Sequence, residues 1–143
     1  MLLFGKRRKK EQREIAVQRL LTKILNQHSR ALDGFREGPR EEVRADLVLV
    51  VIIVPSVDNA PDMSRAVTTV TREVSSSGMA IVLTDRLTAN EIFLALDIEG
   101  EMTYLKAEVR HQSPLGGGLF QAGLRIEEVL PPGEHPDLRS LKI

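Results

Sequence analysis

The stretch EIFLALDIEGEMTYLKAEVR, residues 91–110, decides the fold class. Ile92, Leu94, Leu96 and Ile98 alternate with Phe93, Ala95 and Asp97; Glu99-Gly100-Glu101 then turns the chain, and Leu105, Ala107 and Val109 face one side while Lys106, Glu108 and Arg110 face the other. Two period-two segments joined by turn chemistry read as a β-hairpin. The same grammar extends outward in both directions. Downstream, Phe120, Ala122, Leu124 and Ile126 point inward after a turn over Pro114–Gly118. Upstream, Met79–Leu83 follows a serine-rich break closed by Gly78, and Val67–Val74 is rich in Val and Thr. Leu47–Val54 is a continuous apolar run, which fits a strand buried on both faces or one crossing under a helix. Pro55–Pro61, with Asp58-Asn59 between its prolines, reads as a loop. Five or six short strands with hairpin-like turns imply a small antiparallel barrel or sandwich, because a lone sheet of this size would leave one apolar face wet.

Before this region the period changes. From about Lys9 to Phe35, Val17, Leu21, Ile24, His28, Ala31 and Phe35 recur at spacings of four, three, four, three and four, with Leu20, Leu25 and Leu32 widening the stripe. That is a long amphipathic α-helix, stopped by Gly34 and then by Gly38-Pro39. The chain divides into a basic segment and helix over 1–35, a β domain over 36–130 and a tail over 131–143. The helical stripe has two uses open to it. It can pack on the open side of the barrel, or pair with a protein partner or a second copy of the chain through its heptad-like seam. Lys6–Arg13, six basic residues against one Glu, is either a solvated helix start or a weak contact for an anionic membrane surface, with Leu2, Leu3 and Phe4 inserting.

Composition narrows the function. The chain has 143 residues with 20 Lys plus Arg against 20 Asp plus Glu, and 42% hydrophobic content with no net charge indicates a folded domain. Without cysteine there is no disulfide scaffold, thiolate zinc site or cysteine nucleophile, which fits a reducing compartment. Aromatics are only 3%, too few to stack single-stranded nucleic acid, so nucleic acid is not an expected partner. No apolar run approaches the ~20 residues of a membrane span, and charge follows the apolar N-terminus instead of preceding it as in a secretory signal. The expected location is cytoplasmic. No catalytic residue stands out: His28, His111 and His135 have no metal-ligand spacing, the carboxylates fall mostly in turns, and Gly116-Gly117-Gly118 suits a hairpin better than a phosphate loop. The reading is therefore non-enzymatic, with no metal and no cofactor.

Two features gain meaning in combination. Arg40-Glu-Glu-Val-Arg44 is an RxxxR between the Gly38-Pro39 break and the first apolar strand, with Arg36 one step upstream. Glu73-Val-Ser75-Ser-Ser-Gly78 is a polar turn joining two apolar strands and closed by a glycine able to take positive φ. In this order and spacing they resemble the PilZ domain, the bacterial receptor module for cyclic di-GMP. That family carries RxxxR just before the first strand of a six-stranded barrel and [D/N]xSxxG at the turn between the next two strands. The likeness covers roughly residues 36 to 130, and Glu73 departs from the pattern by standing where the family has Asp or Asn.

The resemblance implies a mainly β, six-stranded antiparallel PilZ-like barrel preceded by the amphipathic helix. It further implies a regulatory receptor binding cyclic di-GMP through Arg40, Arg44, Glu73, Ser75 and Gly78, with Arg36 as an additional candidate. The residue types suit that ligand. Arginine donates bidentately to phosphate or to guanine N7 and O6 and stacks on purines, while a carboxylate accepts from guanine N1 and N2. Ordering the arginine segment over the nucleotide would bring helix and barrel into a new relation and pass the signal on. The alternative is a degenerate PilZ-like interaction or oligomerisation module that binds no nucleotide, its arginines paired locally with Glu37, Glu41 and Glu42.

Overall fold

The computed structural model describes residues 2–27, 44–131 and 133–143. Helix α1 spans Leu2–Gln27, and the strands are β1 (Arg44–Ala45), β2 (Val50–Val57), β3 (Ala60–Pro61), β4 (Val67–Ser75), β5 (Gly78–Leu83), β6 (Glu91–Ile98), β7 (Glu101–Gly116) and β8 (Leu119–Val129). Six of them, in the order β4-β5-β8-β7-β6-β2, form an antiparallel sheet that closes because β2 pairs back onto β4 from Val50↔Val70 to Ile53↔Val67. Closure removes the sheet edges and gives every inward side chain a partner across the interior. The architecture is thus the closed six-stranded barrel with an N-terminal helix that the resemblance implied, where alternation alone left barrel and sandwich both open.

The 91–110 stretch forms the β6–β7 hairpin in register Ile98↔Glu101, and its turn places Glu99 and Gly100 at φ 53° and 84°. Val51, Ile53, Ile81, Ile92, Leu94, Leu96, Leu105 and Leu124 fill the interior. Val17, Leu21, Ile24 and Leu25 of α1 join the same cluster, so the helical stripe packs on its own barrel. Each such side chain, fully withdrawn from water, contributes roughly 1.5–3 kcal/mol. The opposite face of β2 and β6 is also covered: Ile52, Val54 and Phe93 pack with Tyr104 of β7 and with Leu130 and Leu138 of the C-terminal segment. This explains the apolar run from Val51 to Val54, buried on both faces, although Val48 and Val50 earlier in the run are exposed. Tyr104 Oη donates to the Leu141 carbonyl at 3.2 Å and the Arg139 guanidinium lies 4.3 Å from the Tyr104 ring centre, fastening that segment down.

Some boundaries differ from the sequence reading. The helix already begins at Leu2 instead of near Lys9, because the basic run is itself helical. Its outer stripe positions His28, Ala31, Leu32 and Phe35, and the stop signals at Gly34 and Gly38-Pro39, lie outside the described residues. The strand expected from Leu47 begins at Val50, and Thr71 supplies the reason. Its hydroxyl donates to the Leu47 carbonyl at 2.6 Å and accepts from the Leu49 amide at 2.9 Å, taking the place of ladder bonds. The run from Pro55 is not wholly a loop: β2 continues to Val57, and Asp58-Asn59, both at positive φ, turn directly into β3.

Candidate functional site

The register of the barrel lines up the polar motif residues. Arg44 of β1 lies opposite Ser75 of β4, and Gly78, which opens β5, lies opposite Arg125 of β8. One row across four neighbouring strands therefore carries Arg44, Ser75, Gly78 and Arg125. Along β4, Val74 is fully buried in the core, so Glu73 on the adjacent position faces outward beside Arg44. The Arg44 guanidinium and the Glu73 carboxylate stand 3.4 Å apart, both partly exposed. An ion pair this open to water contributes only about 0–1 kcal/mol, so a better anion can displace it.

Ser75 is 8% exposed, and its work is local. Its Oγ accepts from the amides of Gly78 at 3.2 Å and Ser77 at 3.3 Å, and lies 3.3 Å from the Gly78 carbonyl, to which it donates. These bonds hold the Ser76-Ser77 turn in one shape, a serine-turn device for backbone groups that no ladder satisfies. Gly78 corrects an expectation. It does not adopt positive φ; it is required because a Cβ there would meet the Leu124 carbonyl oxygen at 1.9 Å. Only a residue without Cβ lets β8 run this close to the turn.

Beside the row lies a cleft of about 800 Å³ between the N-terminal half of α1 and the barrel. Lys9, Lys10 and Arg13 line it from the helix, facing Ser76, Ser77 and Arg125. Glu14, Glu127 and Glu128 also line it, and with Lys106 the cations number five against three carboxylates. Glu127 is weakened further as an acid: burial and the neighbouring Glu91 push its carboxyl up from the ordinary carboxylate range. Glu91 is itself paired with Lys106 at 3.2 Å. At the other end of α1, hydrogen bonds from Gln27 and Lys23 hold the Glu99 carboxyl below its usual range. Among the described residues no group of three or more His, Asp or Glu side chains is placed to hold a metal ion, and no helix is long and apolar enough to cross a membrane.

Of the residues expected at the site, Arg44, Glu73, Ser75 and Gly78 are brought together; Arg36 and Arg40 lie outside the described residues. Comparison with known proteins identifies the frame. The family model of the PilZ domain matches residues 38–141. The chain belongs to the PilZ domain family. A search of curated proteins finds no match. Among solved structures the PilZ chain is similar to the Bacillus subtilis inhibitor of motility (MotI/DgrA), at 24% identity and TM-score 0.50, covering 72% of this chain and 49% of that one. It thus spans about half the length of that protein. It is also similar to the PilZ domain of CeSA from a cellulose-synthesizing bacterium, at 21% identity and TM-score 0.42, covering 60% of this chain and 83% of that one.

Arg125 is not singled out by the sequence, and Lys9, Lys10 and Arg13 enter there only within the basic run Lys6–Arg13, as a contact for an anionic membrane surface and not as the lining of this cleft. Arg125 is one outward residue in an alternating strand, and its place beside Gly78 depends on pairing between β5 and β8, which are far apart in the chain. For the helix a signal existed: Arg13 and Lys10 continue, N-terminally, the spacing of the apolar stripe.

Proposed function

We propose that this PilZ domain is a non-catalytic bacterial receptor for cyclic di-GMP, acting in the cytoplasm and passing the signal to a partner by reorienting its N-terminal segment. The observation that carries the reading is the contact of Arg44 with Glu73 at the rim of the Ser75–Gly78 turn, inside the matched family region. In this reading Arg44 exchanges Glu73 for the ligand and Arg40 adds the second guanidinium fork, with Arg36 in reserve. Glu73, released, accepts from the guanine donor edge; Ser75 and Gly78 shape the turn on which the nucleotide rests. A protein reading the position of the helix, or a second copy of the chain, would receive the output. A weak contact of Lys6–Arg13 with an anionic membrane surface belongs to the same proposal.

The same ion pair also favours a second reading, in which Glu73 keeps Arg44 occupied and the domain serves as an interaction or oligomerisation module without nucleotide. Fluorescence anisotropy with labelled cyclic di-GMP separates the two. The receptor reading expects saturable binding, competed by unlabelled cyclic di-GMP and not by GTP or cyclic AMP. Unchanged anisotropy with folded protein rejects it in favour of the module.

A further inference from the structure

The face of α1 that packs on the barrel changes character half-way along. Val17, Leu21 and Ile24 are buried at spacings of four and three. The same register, carried toward the N-terminus, reaches Arg13 and then Lys10. A helix that merely docks keeps this register apolar, because a cation pressed against a sheet loses its hydration. Here the two cations are exposed and line the cleft opposite Ser76 and Ser77. Arg13 Nε makes one long bond to the Lys9 carbonyl, at 3.4 Å, and no ion pair among the described residues involves Lys10 or Arg13. The helix is thus anchored from Val17 on, while Lys9, Lys10 and Arg13 before it border the cleft and turn positive charge toward the serine turn.

We propose that the N-terminal half of α1 is one wall of the ligand site, with Lys10 and Arg13 taking a phosphate of the nucleotide that rests on the Ser75–Gly78 turn. The inference rests on the receptor reading and gives it a route of output. The ligand bridges helix and barrel directly, so binding clamps the free half of α1 onto β8 without help from any intermediate element. Two neighbouring cations suit a phosphodiester because one donates from a planar fork and the other from a mobile ammonium. Arg125, exposed on the facing strand, completes an enclosure of the anion from both sides.

The test titrates cyclic di-GMP into the full chain and into two double variants that each lose two positive charges. Lys10→Gln with Arg13→Gln removes two of the three cations that line the cleft from the helix. Arg19→Gln with Lys23→Gln removes charge from the helix surface by Glu99, away from the cleft. The cleft variant is expected to bind about tenfold more weakly or worse. The control should stay within about twofold, since neither side chain lines the cleft and salt screens exposed charges that make no direct contact. Hydrogen exchange at residues 9–16 should slow on ligand binding in the wild type and not in the cleft variant. Equal affinity of wild type and cleft variant, or exchange at 9–16 indifferent to ligand, overturns the role of the helix and leaves the receptor reading standing. No binding by the wild type refutes the receptor reading itself, and the inference with it.

Discussion

Gly78→Ala should be among the most damaging single-methyl additions in the barrel. The added Cβ would stand 1.9 Å from the Leu124 carbonyl oxygen, 3.0 Å from its carbon and 3.3 Å from the Arg125 Cα, all of them backbone atoms of β8. No side chain can swing aside, so β5 and β8 must separate locally by roughly 1 Å or more, the kind of overpacking that costs ~1–3 kcal/mol. The separation also strains the Gly78↔Arg125 pairing and the bond from the Ile126 amide to the Ser77 carbonyl, 3.3 Å long, at about 1 kcal/mol per bond lost. The sum, ~2–4 kcal/mol, corresponds to a fall in Tm of roughly 5–15 °C for a chain of this size. Gly100→Ala is the comparison: nothing lies within 4 Å of its Cβ position, and only the φ of +84° is unfavourable, a penalty of ~1–2 kcal/mol. Thermal unfolding followed by circular dichroism at one pH measures both. A Gly78→Ala protein within a degree or two of wild type, or one more stable than Gly100→Ala, would refute the claim that close approach of β8 makes this position glycine.

Other outcomes follow from the same contacts. Thr71→Val keeps the shape of a residue 1% exposed but removes the hydroxyl that serves both Leu47 and Leu49, so denaturant unfolding should show a loss of ~2–4 kcal/mol, from two buried backbone groups left unsatisfied. A loss below about 0.5 kcal/mol would mean that water or a shifted backbone takes over both bonds. Glu127→Gln should raise Tm at pH 7, because burial and Glu91 raise the carboxyl's pKa in the folded chain. Its ionisation therefore lowers stability as pH climbs from the ordinary carboxylate value through the raised one. The gain should fade below about pH 4, where the carboxyl is protonated in folded and unfolded chain alike. A variant less stable than wild type at pH 7 and equal to it at pH 3 contradicts the assignment.

How far the sequence could be read depended on the range of the interactions involved. Alternation in Ile92–Ile98 and Leu105–Val109, with turn residues between, is a local pattern and was enough for the barrel strands. The start of β2 was not legible, because it turns on a Thr71 hydroxyl more than 20 residues away that substitutes for ladder bonds at Leu47 and Leu49. Pro114 looked like part of a turn, yet it pairs with Phe120 near the end of β7, where register shifts accommodate a residue that cannot donate. Residue types and order singled out Arg44, Glu73, Ser75 and Gly78, which the fold places side by side. The sequence could not show that the Ser75 hydroxyl braces the backbone of its own turn, or that Gly78 is needed for clearance and not for its φ. Nor could it place Arg125 in the same row, since that follows from the pairing of β5 with β8.

The central claim is that the Arg44 row receives a nucleotide. Calorimetric titration of the wild-type chain with cyclic di-GMP tests it most directly, alongside Arg44→Ala, whose side chain is more than half exposed and so removable without unfolding the barrel. The account predicts heat that saturates at micromolar ligand with wild type and disappears with Arg44→Ala, both proteins giving the same circular dichroism spectrum. A folded wild-type chain that gives no heat, or an Arg44→Ala protein that binds as tightly as wild type, would contradict it.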